Sequence, residues 1–115
     1  MSKDPKAILE QLRRRQADIR DAMPAVMKNF GGLMQAATKD GVLSHKTKEL
    51  ITLAIAIALR CDYCIVAHVV ACLKAGATRE EIMEVCGVTI FMGGGPSYTY
   101  TAMVLDALDQ FGGQN

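Results

Sequence analysis

The stretch Lys46-Thr47-Lys48-Glu49-Leu50-Ile51-Thr52-Leu53-Ala54-Ile55-Ala56-Ile57-Ala58-Leu59 carries Leu50, Leu53, Ala54 and Ile57 on one helical face and Ile51, Ile55 and Ala58 on an adjoining one. A helix apolar on two faces is expected to be buried on most sides. Its most apolar run, 50–59, is about half of the roughly 20 residues that a membrane-spanning helix requires, and Thr52 interrupts it. It reads as a core helix of a globular chain with no membrane partner.

Working upstream, Ser44 is placed to cap this helix, and Asp40-Gly41 marks the turn before it. Val26, Phe30, Leu33, Met34 and Ala37 recur at helical spacing over 25–38, although Gly31-Gly32 weakens that segment. Pro24 separates it from a first helix that Asp4-Pro5 opens, with aspartate as N-cap and proline at the first helical position. Downstream, a fourth helix is expected from near Asp62, as N-cap, to Ala75, with Gly76 as its stop. Thr78-Arg79-Glu80-Glu81 is a capping box opening a fifth. Gly93-Gly94-Gly95-Pro96 lacks both the preceding strand and the following Gly-Lys-Ser/Thr of a phosphate loop. It reads instead as a tight joint before a sixth helix over about 97–108, with Pro96 at the first helical position. The tail 112–115 is expected to fray. Residues that favour strands rarely alternate with polar ones, so the fold class is all-α, a bundle of about six helices.

At 115 residues with half of them hydrophobic, the chain suits one globular domain. Its net charge of +1 gives no reason to expect nucleic acid, and Arg13-Arg14-Arg15 reads as a solvated helix face. No apolar signal-peptide core follows Met1-Ser2-Lys3-Asp4-Pro5, so a cytoplasmic location is expected. In a reducing compartment four cysteines do not make a static framework, and a close pair among them points to redox chemistry or metal. Cys72 and Cys86, outside the pair, read as small buried hydrophobes. Met83, Ile90, Phe91 and Met92 add more apolar surface than one small domain covers, so several chains per particle are expected.

Cys61-Asp62-Tyr63-Cys64-Ile65-Val66-Ala67-His68 follows the core helix directly. With Asp62 as N-cap, Cys64 falls in the first turn, where the helix dipole favours a thiolate and lowers the thiol pKa from about 8.5. Cys61, just outside, is placed to resolve what Cys64 becomes. His68 is one turn after Cys64, roughly 6 Å along the axis at about 1.5 Å per residue, and is a candidate base. Glu49 reaches it only if the chain reverses near Arg60; it would then hold the imidazole in a useful tautomer. A thiolate so placed can attack the terminal oxygen of a hydroperoxide, Cys61 closing the disulfide and an external dithiol reopening it.

Each residue alone has a plainer reading: Glu49 as a partner of Lys46 and Lys48, His68 as a core histidine with one hydrogen bond. The four together are harder to attribute to coincidence. Cys61, Cys64, His68 and Cys72 also form one stripe of zinc-ligand types. A single straight helix cannot wrap them round an ion, because Cys61 and Cys72 would lie roughly 16 Å apart at about 1.5 Å per residue. No metal is therefore expected, nor any bound organic cofactor.

The spacing Glu49-x11-Cys61-x2-Cys64-x3-His68 resembles the signature of the AhpD-like alkylhydroperoxidases, within the carboxymuconolactone decarboxylase family. Leu43-Ser44 leading to Lys48-Glu49-Leu50-Ile51, Ala75-Gly76-Ala77-Thr78 with Glu80-Glu81-Ile82, and Gly93-Gly94-Gly95-Pro96 are similar too, so the resemblance covers about residues 23–109. It implies an N-terminal helix over 1–22 ahead of an AhpD-like domain over 23–111, and homohexamers in preference to homotrimers. It also implies peroxidase activity with Cys64 attacking, Cys61 resolving, and Glu49 and His68 relaying protons. A lipoyl-type dithiol donor goes with it. Thioredoxin-like proteins attack with the first cysteine, which keeps the opposite order open. The family's lactone decarboxylases generally lack the cysteine pair. Decarboxylation by Glu49 and His68, or a non-enzymatic redox sensor, are the alternatives.

Overall fold

In the computed structural model, which describes residues 3–112, six helices follow one another: α1 Pro5–Ala22, α2 Pro24–Thr38, α3 His45–Ala58, α4 Asp62–Lys74, α5 Arg79–Gly93 and α6 Gly95–Phe111. The expected all-α architecture holds among the described residues. The expected tail, 113–115 in particular, lies outside them.

The capping chemistry works largely as read. Asp4 accepts from the backbone N–H of Ala7, Ser44 from that of Thr47, and the Thr78–Glu81 box is reciprocal. Pro24 opens α2 immediately after Met23, and Gly31-Gly32 does not interrupt that helix. Gly76 ends α4 at φ 92°, its N–H donating to the carbonyl of Leu73 while Ala77 N–H donates to that of Cys72. This is the paired closure that a left-handed residue after a helix makes available.

The core is built from α3, α4, α5 and α6, with the first turns of α1 laid across α4 and α6. Leu53, Ile57, Ile65, Val66, Val69, Ile82, Val104 and Leu108 are sealed from water, joined by Ile8 and Leu9 of α1. Lys6 N–H donates to the Gln110 side chain, which fastens the start of α1 to the end of α6.

Three expectations are corrected. Ile51, Ile55 and Ala58, the second apolar face of α3, are exposed rather than buried, because no helix among the described residues covers them. The sixth helix starts at Gly95 and runs to Phe111, so Pro96 is its second residue. Gly94 (φ 70°) both ends α5 and begins α6, turning the chain within one residue. Finally, Cys61, not Asp62, is the N-cap of α4.

Candidate active site

The reversal that brings Glu49 back to the motif occurs at Arg60. This residue sits at φ 57°, and its N–H donates to the carbonyl of Ile57 while Cys61 N–H donates to that of Ala56. The same closure that Gly76 gives α4 is here made by an arginine in the left-handed region. It leaves Cys61 extended, at φ −100° and ψ 101°, with its Sγ accepting from the backbone N–H of Cys64 at 3.2 Å. Asp62 becomes the first helical residue, its carboxylate favoured by the helix dipole and paired with Lys3 at 3.3 Å. Cys64 lies in the first turn, and Cys61 and Cys64 form a disulfide with Cα atoms 5.2 Å apart.

Glu49 is buried on α3, with its side chain 9% exposed, and His68 Nδ1–H donates to its Oε1 at 3.1 Å. An ionised carboxylate only accepts, so the bonded ring nitrogen carries its hydrogen and Nε2 keeps its lone pair. The reading of Glu49 as a solvated partner of neighbouring lysines fails, since Lys46 pairs with Glu81 at 2.9 Å and Lys48 donates to the carbonyl of Lys39 at 2.8 Å.

Cys64 and His68 line one cavity of about 550 Å³ walled by α1, α2 and α4. Its walls are mainly apolar, with Leu12 from α1, Met27, Phe30 and Met34 from α2 and Ala67 from α4, while Gln16 and Arg20 supply polar groups. The helical spacing of Phe30 and Met34 was visible in the sequence. What they face was not, because that depends on the angle at the Met23 joint between α1 and α2.

Cys72 and Cys86 are fully buried, away from the pair. Burial pushes the Cys72 thiol up to about 12, and the negative charge of Glu49 adds to this. Burial also raises Cys86, partly offset by a hydrogen bond from Thr101. Among the described residues no three His, Cys, Asp or Glu side chains are grouped to hold a metal. With Cys72 facing the core, the stripe of zinc-ligand types is split.

One residue near the site had no signal that was read. His45, the first residue of α3, donates its Nδ1–H to the carbonyl of Thr38 at 2.6 Å and presents Nε2 to Glu49 Oε2 at 3.8 Å. Its spacing of four from Glu49 on one helix was the available clue.

Comparison with known proteins places this geometry. A crystal structure of a carboxymuconolactone decarboxylase family protein from Legionella pneumophila is 44% identical and superposes with a TM-score of 0.91, covering 96% of this chain and 98% of that one. A structure of a Thermotoga maritima protein of the same family, for which a role in the antioxidative response has been suggested, is 35% identical with a TM-score of 0.69, over 75% of this chain and 89% of that one. A curated protein of Cupriavidus necator, itself uncharacterized, is 40% identical over 95% of this chain and 96% of its own length. The carboxymuconolactone decarboxylase family model matches residues 24–107, from the first turn of α2 to the last turns of α6, and the chain belongs to that family.

Proposed function

We propose that the chain is a thiol-dependent reductase of organic hydroperoxides, with Cys64 as the attacking thiol, Cys61 as its resolving partner, and Glu49 and His68 as the proton relay. The observation that carries this reading is a disulfide-forming pair opening, through Cys64, onto the same cavity as an imidazole held by a buried carboxylate. Decarboxylation would use the Glu49–His68 pair but gives no role to the two cysteines.

His68 Nε2 takes the proton of the Cys64 thiol, and the dipole of α4 favours the resulting thiolate. The thiolate attacks the terminal oxygen of R–O–O–H. The O–O bond breaks, Cys64 becomes a sulfenic acid, and the alkoxide takes the proton back from His68 and leaves as the alcohol. Cys61 then attacks the Cys64 sulfur, the S–O bond breaks, and hydroxide departs as water with the Cys61 proton. An external dithiol reduces the new disulfide by two exchanges and is itself oxidised to a disulfide. One hydroperoxide and one dithiol thus yield one alcohol, one water and one disulfide.

The apolar walls favour organic hydroperoxides over hydrogen peroxide. The reductant we propose is a lipoyl-type dithiol, and the setting a reducing cytoplasm. No helix among the described residues is long and apolar enough to cross a membrane. Exposed apolar side chains on α2, α3 and α5 support a homo-oligomer, for which we propose a hexamer in preference to a trimer.

The test is consumption of cumene hydroperoxide with excess dihydrolipoamide. Cys64→Ser is expected to abolish turnover, and Cys61→Ser to stop it after one oxidation with a sulfenic acid trapped by dimedone. A native, fully reduced chain that closes its disulfide without turning over would instead be a redox sensor. Lactone decarboxylation surviving replacement of both cysteines would favour the decarboxylase.

A further inference from the structure

Glu49 has an imidazole at each carboxylate oxygen. His68 Nδ1–H bonds to Oε1 at 3.1 Å from the catalytic side, and His45 Nε2 stands 3.8 Å from Oε2 on the other. The two imidazoles differ in exposure: the His45 side chain is 42% exposed, that of His68 27% and that of Glu49 only 9%.

His45 is itself firmly placed. Its backbone N–H donates to Asp40 Oδ1 at 2.7 Å, and its Nδ1–H donates to the Thr38 carbonyl at 2.6 Å. A carbonyl only accepts, so the hydrogen of the neutral ring is on Nδ1, and Nε2, turned to Glu49, is the nitrogen that gains or loses a proton. The gap of 3.8 Å is too long for a hydrogen bond, and a small side-chain shift closes it once Nε2 carries a proton to donate.

We propose that His45 is a positioning residue for the thiol chemistry: with His68 and Glu49 it forms a His45–Glu49–His68 relay joining the cavity to solvent at the N-terminal end of α3. It acts through Glu49 and touches neither substrate nor cysteine. Neutral His45 leaves the charge of Glu49 to His68, which is then the stronger base toward Cys64. Protonated His45 draws that charge toward Oε2 and weakens the base, so His68 is tuned by the water outside the cavity. The other titratable groups around the relay are accounted for. Asp40 binds the His45 backbone, Lys46 is paired with Glu81 of α5, Lys48 with the Lys39 carbonyl, and from α4 the Cys72 thiol, raised beside Glu49, stays neutral.

The inference rests on the thiol reading above, but its test needs no hydroperoxide turnover. The readout is the pH dependence of Cys64 alkylation by iodoacetamide in the reduced chain. His45→Asn keeps a donor for the Thr38 carbonyl and deletes Nε2. With no proton to draw the charge of Glu49 away from His68, it is expected to move the midpoint of the profile downward by about one pH unit, about tenfold faster alkylation on its acid side. His45→Gln, whose longer amide reaches Glu49 Oε2 as a donor and so imitates the protonated ring, is expected to bring the rate back down to within about threefold of the native one. A His45→Asn chain with native circular dichroism and an unshifted profile, or a folded His45→Gln chain as fast as His45→Asn, would overturn the proposal.

Nitrogen NMR of the native chain needs no variant. The ring shifts of His68 are expected to change when the His45 ring gains its proton, and their indifference to it would also overturn the proposal. A chain that passes these tests yet consumes no hydroperoxide would sink the peroxidase reading alone.

Discussion

At the residue scale the four cysteines divide by environment. Cys72, with its thiol pushed up to about 12, and Cys86, raised by burial, are expected to resist alkylation at pH 8 in the folded, reduced chain, while Cys61 and Cys64 react. Intact-mass measurement after brief iodoacetamide treatment should find two additions under native conditions and four in denaturant. Glu49→Gln keeps the shape of the partner of His68 and removes its charge. It is expected to slow Cys64 alkylation at neutral pH by roughly a factor of ten or more, in line with the weight of general-base assistance. Cys61, Cys64 and His68 were legible as a group because their spacing is local, whereas Glu49 joins them only through the reversal at Arg60, which spacing alone does not prove. His45 was not, since a histidine at the polar start of a helix looks like a solvent-facing group until α4 brings a second imidazole to the same carboxylate.

Most helix ends were readable at the scale of elements because their signals are short-range. Asp4-Pro5, Ser44, Gly76 and Thr78-x-x-Glu81 each satisfy a particular backbone group. Gly76→Ala, forced to keep φ 92°, is expected to lower stability by about 1 kcal/mol in urea unfolding. Arg60→Gly, at φ 57°, is expected to act in the opposite direction by a smaller amount, because glycine also gives the unfolded chain more freedom. The Glu81 carboxyl is held below its ordinary 4.5, first by the Thr78 backbone N–H and then by Lys46. A group whose folded pKa is depressed stabilises above its unfolded value and loses that contribution as pH falls through the folded one. Native stability minus that of Glu81→Gln should therefore shrink as pH falls below about 4.5. The joint between α5 and α6 and the cap of α4 were misread by one or two residues. At both, a single left-handed residue, Gly94 or Arg60, turns the chain faster than propensity suggests.

For the whole molecule, helical periodicity does not distinguish an apolar face turned inward from one offered outward. Ile51 and Ile55 have the periodicity of core residues, yet they stand exposed with Phe91 and Met92, at 83% and 77%. Given the proposed assembly, Phe91→Glu is expected to shift sedimentation toward smaller species while leaving helical content unchanged, because the side chain has no packing to lose within its own chain. The α2 helix poses the same question from the other side, since none of its residues is buried although Phe30 and Met34 wall the cavity. It hangs from the joint at Met23 and touches the body of the chain mainly through α1 and a short stretch of α3. A wall attached so lightly yields to what enters, which trades discrimination for tolerance. Hydroperoxides of increasing bulk should then differ little in KM, and selectivity among oxidants would come from the reactivity of the O–O bond rather than from the fit of the group that carries it.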